Sequence, residues 1–98
     1  MMKQPCIYII TNINKTVLYI GVTSALEIRI HQHKNETYDG FSKKYKCKYL
    51  VYYEQFEDME NAILREKKLK GWTRAKKEGL INSINPERKD LSAELFPR

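Results

Sequence analysis

The chain has 98 residues, room for one compact domain of the usual size of about 100–150 residues and little for a second. Hydrophobic residues at 42% and aromatics at 11%, with three prolines and four glycines, exclude a disordered or low-complexity chain. Eighteen Lys and Arg against twelve Asp and Glu leave a net charge of +6, an excess that favours an anionic partner without separating nucleic acid from an acidic membrane or from solubility alone.

Met1 to Pro5 is polar rather than the start of a secretory signal, and no apolar run approaches the roughly 18 residues that span a bilayer. A cytoplasmic protein with no membrane partner is expected. Cys6-Ile7-Tyr8-Ile9-Ile10-Thr11 and Val17-Leu18-Tyr19-Ile20-Gly21-Val22 are short β-branched and aromatic runs separated by the turn formers Asn12 to Thr16, and they predict a β-hairpin. With a short loop around Asn12 to Lys15, Tyr8 falls roughly opposite Tyr19 on the same face of the pair. Ser24 and Glu27 have the spacing of a capping box and predict a helix from Ala25 to about Lys34. Its inward stripe by helical spacing is Leu26, Arg29, Ile30 and His33, so a cation and an imidazole interrupt an apolar face.

Residues 35–46 show no clear period and predict a loop with a helical turn near Phe41 to Tyr45. Tyr49 to Glu54 is the third strand. Asp58 can N-cap a helix from Met59 to about Lys70, whose inner stripe is Met59, Ala62, Ile63, Glu66 and Leu69. Gly71 suits the position after that helix, Thr73 starts another through about Ile84, and Asn85-Pro86 ends it. The expected fold is α/β, a small three-stranded antiparallel sheet flanked by helices in the order β-β-α-β-α-α. It forms a single domain over 1–98, with its core at about 5–86 and a C-terminal tail at 87–98. Cys6 and Cys47 form no CxxC pair or zinc spacing and are expected reduced and buried.

Seven basic residues fall between Arg65 and Lys77, with Glu66 the one acidic residue among them. Lys43, Lys44, Lys46 and Lys48 add a second cluster. Such runs read either as solvated helix faces or, beside seven tyrosines, as a polyanion surface. Burying an ionised carboxylate costs several kcal/mol, on the order of 3 or more, unless it is paired or ligates a metal, so Glu66 in an apolar stripe needs a reason. It pairs with a lysine or Arg29, faces water on a rotated helix, or holds a cation. Arg29 is a structural cation for that carboxylate or a guanidinium fork for phosphate. His33 is a partly buried helix histidine or a group that moves a proton near neutral pH. Tyr8 and Tyr19 are strand tyrosines with wet tips or a pair of reactive phenols. Packing does not predict that two phenols, an arginine, a histidine and a carboxylate fall on one side of so short a chain.

Cys6-Ile7-Tyr8 followed by Tyr19-Ile20-Gly21 resembles the paired motif of the GIY-YIG nuclease superfamily, and Val22-Thr23-Ser24 with Arg29 and His33 resembles its first helix. Ala62 to Lys67, Lys70-Gly71-Trp72 and Asn85-Pro86 resemble later landmarks of its small single-domain bacterial members, so the similarity runs from Cys6 to about Leu91. The resemblance implies a metal-dependent site for phosphodiester cleavage. It implies that Glu66 ligates one Mg²⁺ or Mn²⁺ and that Tyr19, assisted by Tyr8, positions the attacking water and takes its proton. Arg29 would stabilise charge on the phosphate with His33 in support, and Asn85 would orient the phosphate or a neighbouring side chain. Cys6 stands where the motif's first glycine is usual, and Val22 where excision-repair relatives carry a lysine. No appended DNA-binding domain is expected, and hence no sequence-specific cleavage. The expected activity is a metal-dependent endonuclease acting on DNA with low sequence specificity, RNA fitting a basic surface equally well. Lys67, Lys68, Lys70, Arg74, Lys76 and Lys77 would contact backbone phosphates. A non-catalytic nucleic-acid-binding module on the same scaffold is the alternative, and a protein-interaction domain a third.

Overall fold

A computed structural model describes residues 4–37 and 40–97. The expectations that fall on residues 1–3, on 38–39 of the loop and on residue 98 of the tail lie outside the described residues. Strand β1 (Cys6–Thr11) pairs antiparallel with β2 (Leu18–Thr23) on one side and with β3 (Tyr49–Gln55) on the other, giving the sheet order β2-β1-β3. All six residues of β1 are buried. A central strand covered on both faces needs an unbroken apolar run, which Cys6 to Ile10 supplies.

The hairpin loop is tied by Asn12, whose side-chain oxygen accepts from the backbone of Thr16 at 2.9 Å and of Val17 at 3.0 Å, while Lys15 takes a left-handed φ of 60°. The resulting register corrects the expected pairing. Tyr8 stands opposite Gly21, and Tyr19 opposite Ile10, so the two tyrosines share a face but sit diagonally.

Helices cover both faces. On one, α3 (Met59–Lys70) and α4 (Arg74–Asn82) pack Ala62, Leu69 and Ile81 against Ile7, Ile9 and Ile20. On the other, α1 (Leu26–Lys34) brings Ile30 against Tyr8, Ile10 and Leu50, with the short helix α2 (Phe41–Lys44) following it. A bulge in β3 shifts the register between Ile9 and Ile10. Val51 is the extra residue, so both Val51 and Tyr52 join the aliphatic cluster under α3 while Leu50 joins the cluster under α1.

The caps hold in two places of three. Asp58 accepts from Asn61 N at 2.8 Å and Thr73 from Lys76 N at 3.2 Å, each relieving an orphan donor of the first turn. The Ser24–Glu27 box does not form: Ala25 is the N-cap of α1 with no side-chain cap, and Thr23 Oγ1 accepts from Ala25 N instead. Gly71 caps α3 in a right-handed conformation, α4 stops at Asn82 short of Ile84, and Ile63 is 36% exposed rather than inward. The segment after Pro86 carries a further short helix, α5 (Ser92–Leu95), and Leu91, Leu95 and Phe96 pack into the core under α1. It is pinned by Leu91 N donating to Leu50 O at 2.7 Å and by Asp90, which accepts from Lys34 Nζ at 2.6 Å and Leu50 N at 3.2 Å. No described helix is long and apolar enough to cross a membrane.

Candidate active site

Tyr8 lies across β2 because its partner there is Gly21. A Cβ at that position would run into the Tyr8 ring and hydroxyl, so the register forces a glycine under the phenol. The Tyr8 hydroxyl is 2.8 Å from His33 Nε2, and His33 Nδ1 is 3.0 Å from Ser42 Oγ. All three residues are buried. Burial, aided by the Arg29 guanidinium one turn earlier on α1, pushes the His33 pKa down to about 4. The imidazole is therefore neutral at pH 7, with a hydrogen on one ring nitrogen only, and it donates on one side while accepting on the other. Tyr8, His33 and Ser42 form a chain that can carry a proton's hydrogen bonding in either direction.

Tyr19 is half-buried and leans on this chain. Its ring centroid is 6.4 Å from that of Tyr8 and meets His33 edge-on at 5.6 Å. Tyr8 is sealed from solvent, so of the two phenols Tyr19 is the one that water can reach. Arg29, also half-buried, shares the inward stripe of α1 with Ile30 and His33.

Glu66 comes from elsewhere. It sits on α3, which packs against β1 and the edge strand β2 on the face opposite that of Tyr8 and His33. Its side chain is 13% exposed and its carboxylate is 2.9 Å from Lys70 Nζ, an i,i+4 ion pair. The structure thus groups Tyr8, Tyr19, Arg29 and His33 around α1 and delivers Glu66 from a helix on the other side of the sheet. Among the described residues no three His, Cys, Asp or Glu side chains cluster as a metal cage. A lone carboxylate suits a hard, largely hydrated cation such as Mg²⁺ and does not suit zinc.

Asn85 is committed to the main chain. Both its amide hydrogens are donated, to Val51 O at 3.1 Å and Lys89 O at 2.8 Å, and its oxygen accepts from Lys89 N at 3.0 Å. It clasps the turn after α4 to the bulge of β3 and has no donor left for a phosphate. Of the basic side chains, Lys67, Lys68, Lys70 and Lys76 are exposed and Lys77 is half-buried. Lys70 is engaged by Glu66, and Lys76 lies over the Trp72 ring at 6.0 Å. Arg74 donates to Thr16 O at 2.6 Å and Lys15 O at 3.1 Å, which ties α4 to the hairpin loop. Cys6 and Cys47 are buried free thiols, pushed up to about 11 by burial and so unreactive at neutral pH.

Sequence reasoning missed Ser42 and the role of Gly21. The helical turn at Phe41 to Tyr45 is the signal that leads to Ser42, since it sets which of its side chains turns inward. Compared with known proteins, the family model described as the GIY-YIG catalytic domain matches residues 4–79. A UPF0213 protein of Syntrophus aciditrophicus (strain SB) is 33% identical over 88 residues, covering 89% of this chain and 99% of that relative. No solved structure matches the chain at a significant level.

Proposed function

The chain belongs to the GIY-YIG family, and from that premise we propose that it is a divalent-metal-dependent endonuclease that hydrolyses phosphodiester bonds in DNA with low sequence specificity. The observation that carries this reading is the buried Tyr8–His33–Ser42 chain with the half-exposed Tyr19 laid against it. Tyr19 directs a water at phosphorus and accepts its proton, as the new P–O bond forms and the ester bond to the leaving oxygen breaks. A tyrosine with the ordinary pKa of about 10 is a weak base at neutral pH, so this role would require a cation beside its hydroxyl. Tyr8 supports Tyr19 from below and is itself held in place by a neutral His33. Arg29 meets the charge that builds on the phosphate oxygens, where loss of one fixed donor typically costs about 3–4 kcal/mol of barrier.

Glu66 would hold the one Mg²⁺ or Mn²⁺ ion, which would supply Lewis-acid stabilisation of the phosphate. Because β2 is an edge strand, a phosphate at that edge can be approached both from α1 and from α3. Lys67, Lys68, Lys70, Arg74, Lys76 and Lys77 contact the DNA backbone without reading sequence, and RNA meets the same charges. Asn85 acts as a positioning residue that fixes the segment beyond α4. Two free buried thiols suit a reducing, cytoplasmic setting.

The Glu66–Lys70 ion pair favours a second reading, a nucleic-acid-binding module whose metal ligand is occupied by its own lysine. Plasmid, branched DNA and RNA incubated with the protein and Mg²⁺ or Mn²⁺ separate the two. Cleavage that is lost in Glu66→Ala while binding is kept supports the nuclease. Binding with no metal-dependent cleavage supports the module.

A further inference from the structure

The four-residue helix α2 does more than supply Ser42 to the buried chain. Its Phe41 is 49% exposed, and Tyr45 at its C-cap is 40% exposed. The two rings adjoin, so they form one contiguous aromatic patch open to solvent. They are also continuous with the candidate active site. The Phe41 ring stacks on Tyr19 with centroids 6.1 Å apart and planes 22° from parallel, and Tyr45 follows at 4.6 Å from Phe41. The result is a run of three aromatic rings, Tyr19, Phe41 and Tyr45, leading outward from the reactive phenol. Cations accompany it. Lys44 Nζ lies 5.4 Å from the centre of the Tyr45 ring, and Lys43 is exposed on the same short helix. Lys46 and Lys48 both pair with Glu36.

We propose that Phe41 and Tyr45 form a stacking platform for unpaired nucleobases, so that the preferred substrate presents a single-stranded DNA segment beside the phosphate held at Tyr19. Every base has a flat π face, and exposed rings interleaved with lysines match a strand whose bases are turned toward the protein and whose phosphates lie at the ammonium groups. In a duplex the bases are stacked on one another and offer these rings only their edges, so paired DNA gains nothing from the platform. The substrate class rests on the nuclease reading, whereas the platform itself is a binding property and can be measured without cleavage.

The test uses a fluorescein-labelled oligodeoxythymidylate, an abasic strand of equal length, and a duplex of equal length, each titrated with the protein in EDTA and followed by anisotropy. Phe41→Leu and Tyr45→Leu keep apolar bulk but remove the flat face. Each is expected to weaken binding of the thymidylate strand about five- to hundredfold, with the abasic strand and the duplex unaffected. Phe41→Trp keeps the face and gives a direct signal: its emission should be quenched by the thymidylate strand and unchanged by the abasic one. Equal binding of the thymidylate strand by wild type and both leucine variants would overturn the platform, as would an abasic strand that binds as tightly as the thymidylate. Ring-dependent binding in a protein that never cleaves would uphold the platform and remove the nuclease reading. Cleavage with ring-independent binding would do the reverse.

Discussion

Under α3 and α4 the sheet presents Ile7, Ile9, Ile20 and Val51 to Ala62, Leu69 and Ile81, an aliphatic contact. Under α1 and α2 the same strands present Tyr8 and Tyr19 to His33, with Ser42 behind it. The first face contributes stability chiefly through burial of carbon. The second gives up part of that gain, because each buried polar group must be matched by a hydrogen bond, and here the matching is complete among the described side chains. The aliphatic packing and the Tyr8–His33–Ser42 hydrogen bonds are therefore carried by opposite sides of one strand, β1, with alternate residues serving each. Substitutions on the two faces should then separate cleanly in what they damage.

The largest effect on stability is expected from the aliphatic face. Ile9→Ala removes a fully buried side chain and should cost about 2–5 kcal/mol in urea unfolding, leaving the acid behaviour of His33 in the folded molecules unchanged. A cost well below that range would mean that this face is not the main source of stability. Next comes Gly21→Ala, whose new Cβ meets the Tyr8 ring. It should cost about 1–3 kcal/mol, and most of that cost should vanish when Tyr8 is also replaced by Ala. Additive losses in the double variant would show that the glycine is not kept for the phenol.

His33 gives a pH signature to its face alone. Its folded pKa, pushed down to about 4, lies below the ordinary histidine value of 6.5, so the unfolded chain binds the extra proton first as the medium turns acid. Stability from this site is whole above the ordinary value and is lost as pH falls toward 4, at about 1.4 kcal/mol per pH unit. His33→Gln should flatten urea midpoints across that window, and an unchanged slope would contradict the buried neutral imidazole. At lower pH Asp90 adds to the loss. Burial opposes its charge, but Lys34 and Ser92 outweigh this and hold its carboxyl below the ordinary range, so its contribution disappears as pH drops below about 4. The smallest expected effect is at the surface. Changing Lys67 and Lys68 to Gln should make the salt dependence of duplex binding less steep by about 0.9 in log–log slope for each phosphate contact removed. Unaltered slopes would take those lysines out of the interface.

Much of the aliphatic face was legible in the sequence. The β1 run, the caps at Asp58 and Thr73 and the bounds of α3 follow from local rules, since propensity, capping and burial agree there. The chemical face was legible in its residues but not in its geometry. Tyr8, Tyr19, Arg29 and His33 were identifiable by motif and spacing, yet the diagonal placing of the tyrosines depends on how Asn12 and Lys15 close the loop. A shift of two residues leaves every side chain on its proper face, so the hydrophobic pattern cannot detect it. The β3 bulge at Val51, the docking of Leu91, Leu95 and Phe96, and the partners of Ser42 and Asn85 all depend on contacts between segments distant in the chain. Local periodicity carries no record of those. Glu66 marks the same limit: its helical stripe was readable, while the side of the sheet that its helix covers was not.

The central claim is that Tyr19 does the chemistry and Tyr8 and His33 hold the ground beneath it. Single-turnover cleavage of an end-labelled DNA strand with excess protein and Mg²⁺ tests this directly, comparing wild type with Tyr19→Phe. The expected result is a rate lower by about 10²–10⁴-fold in the variant, the usual span for removing a general base, with binding and urea midpoint unchanged. Equal rates in the two proteins, or no cleavage by wild type, would contradict it.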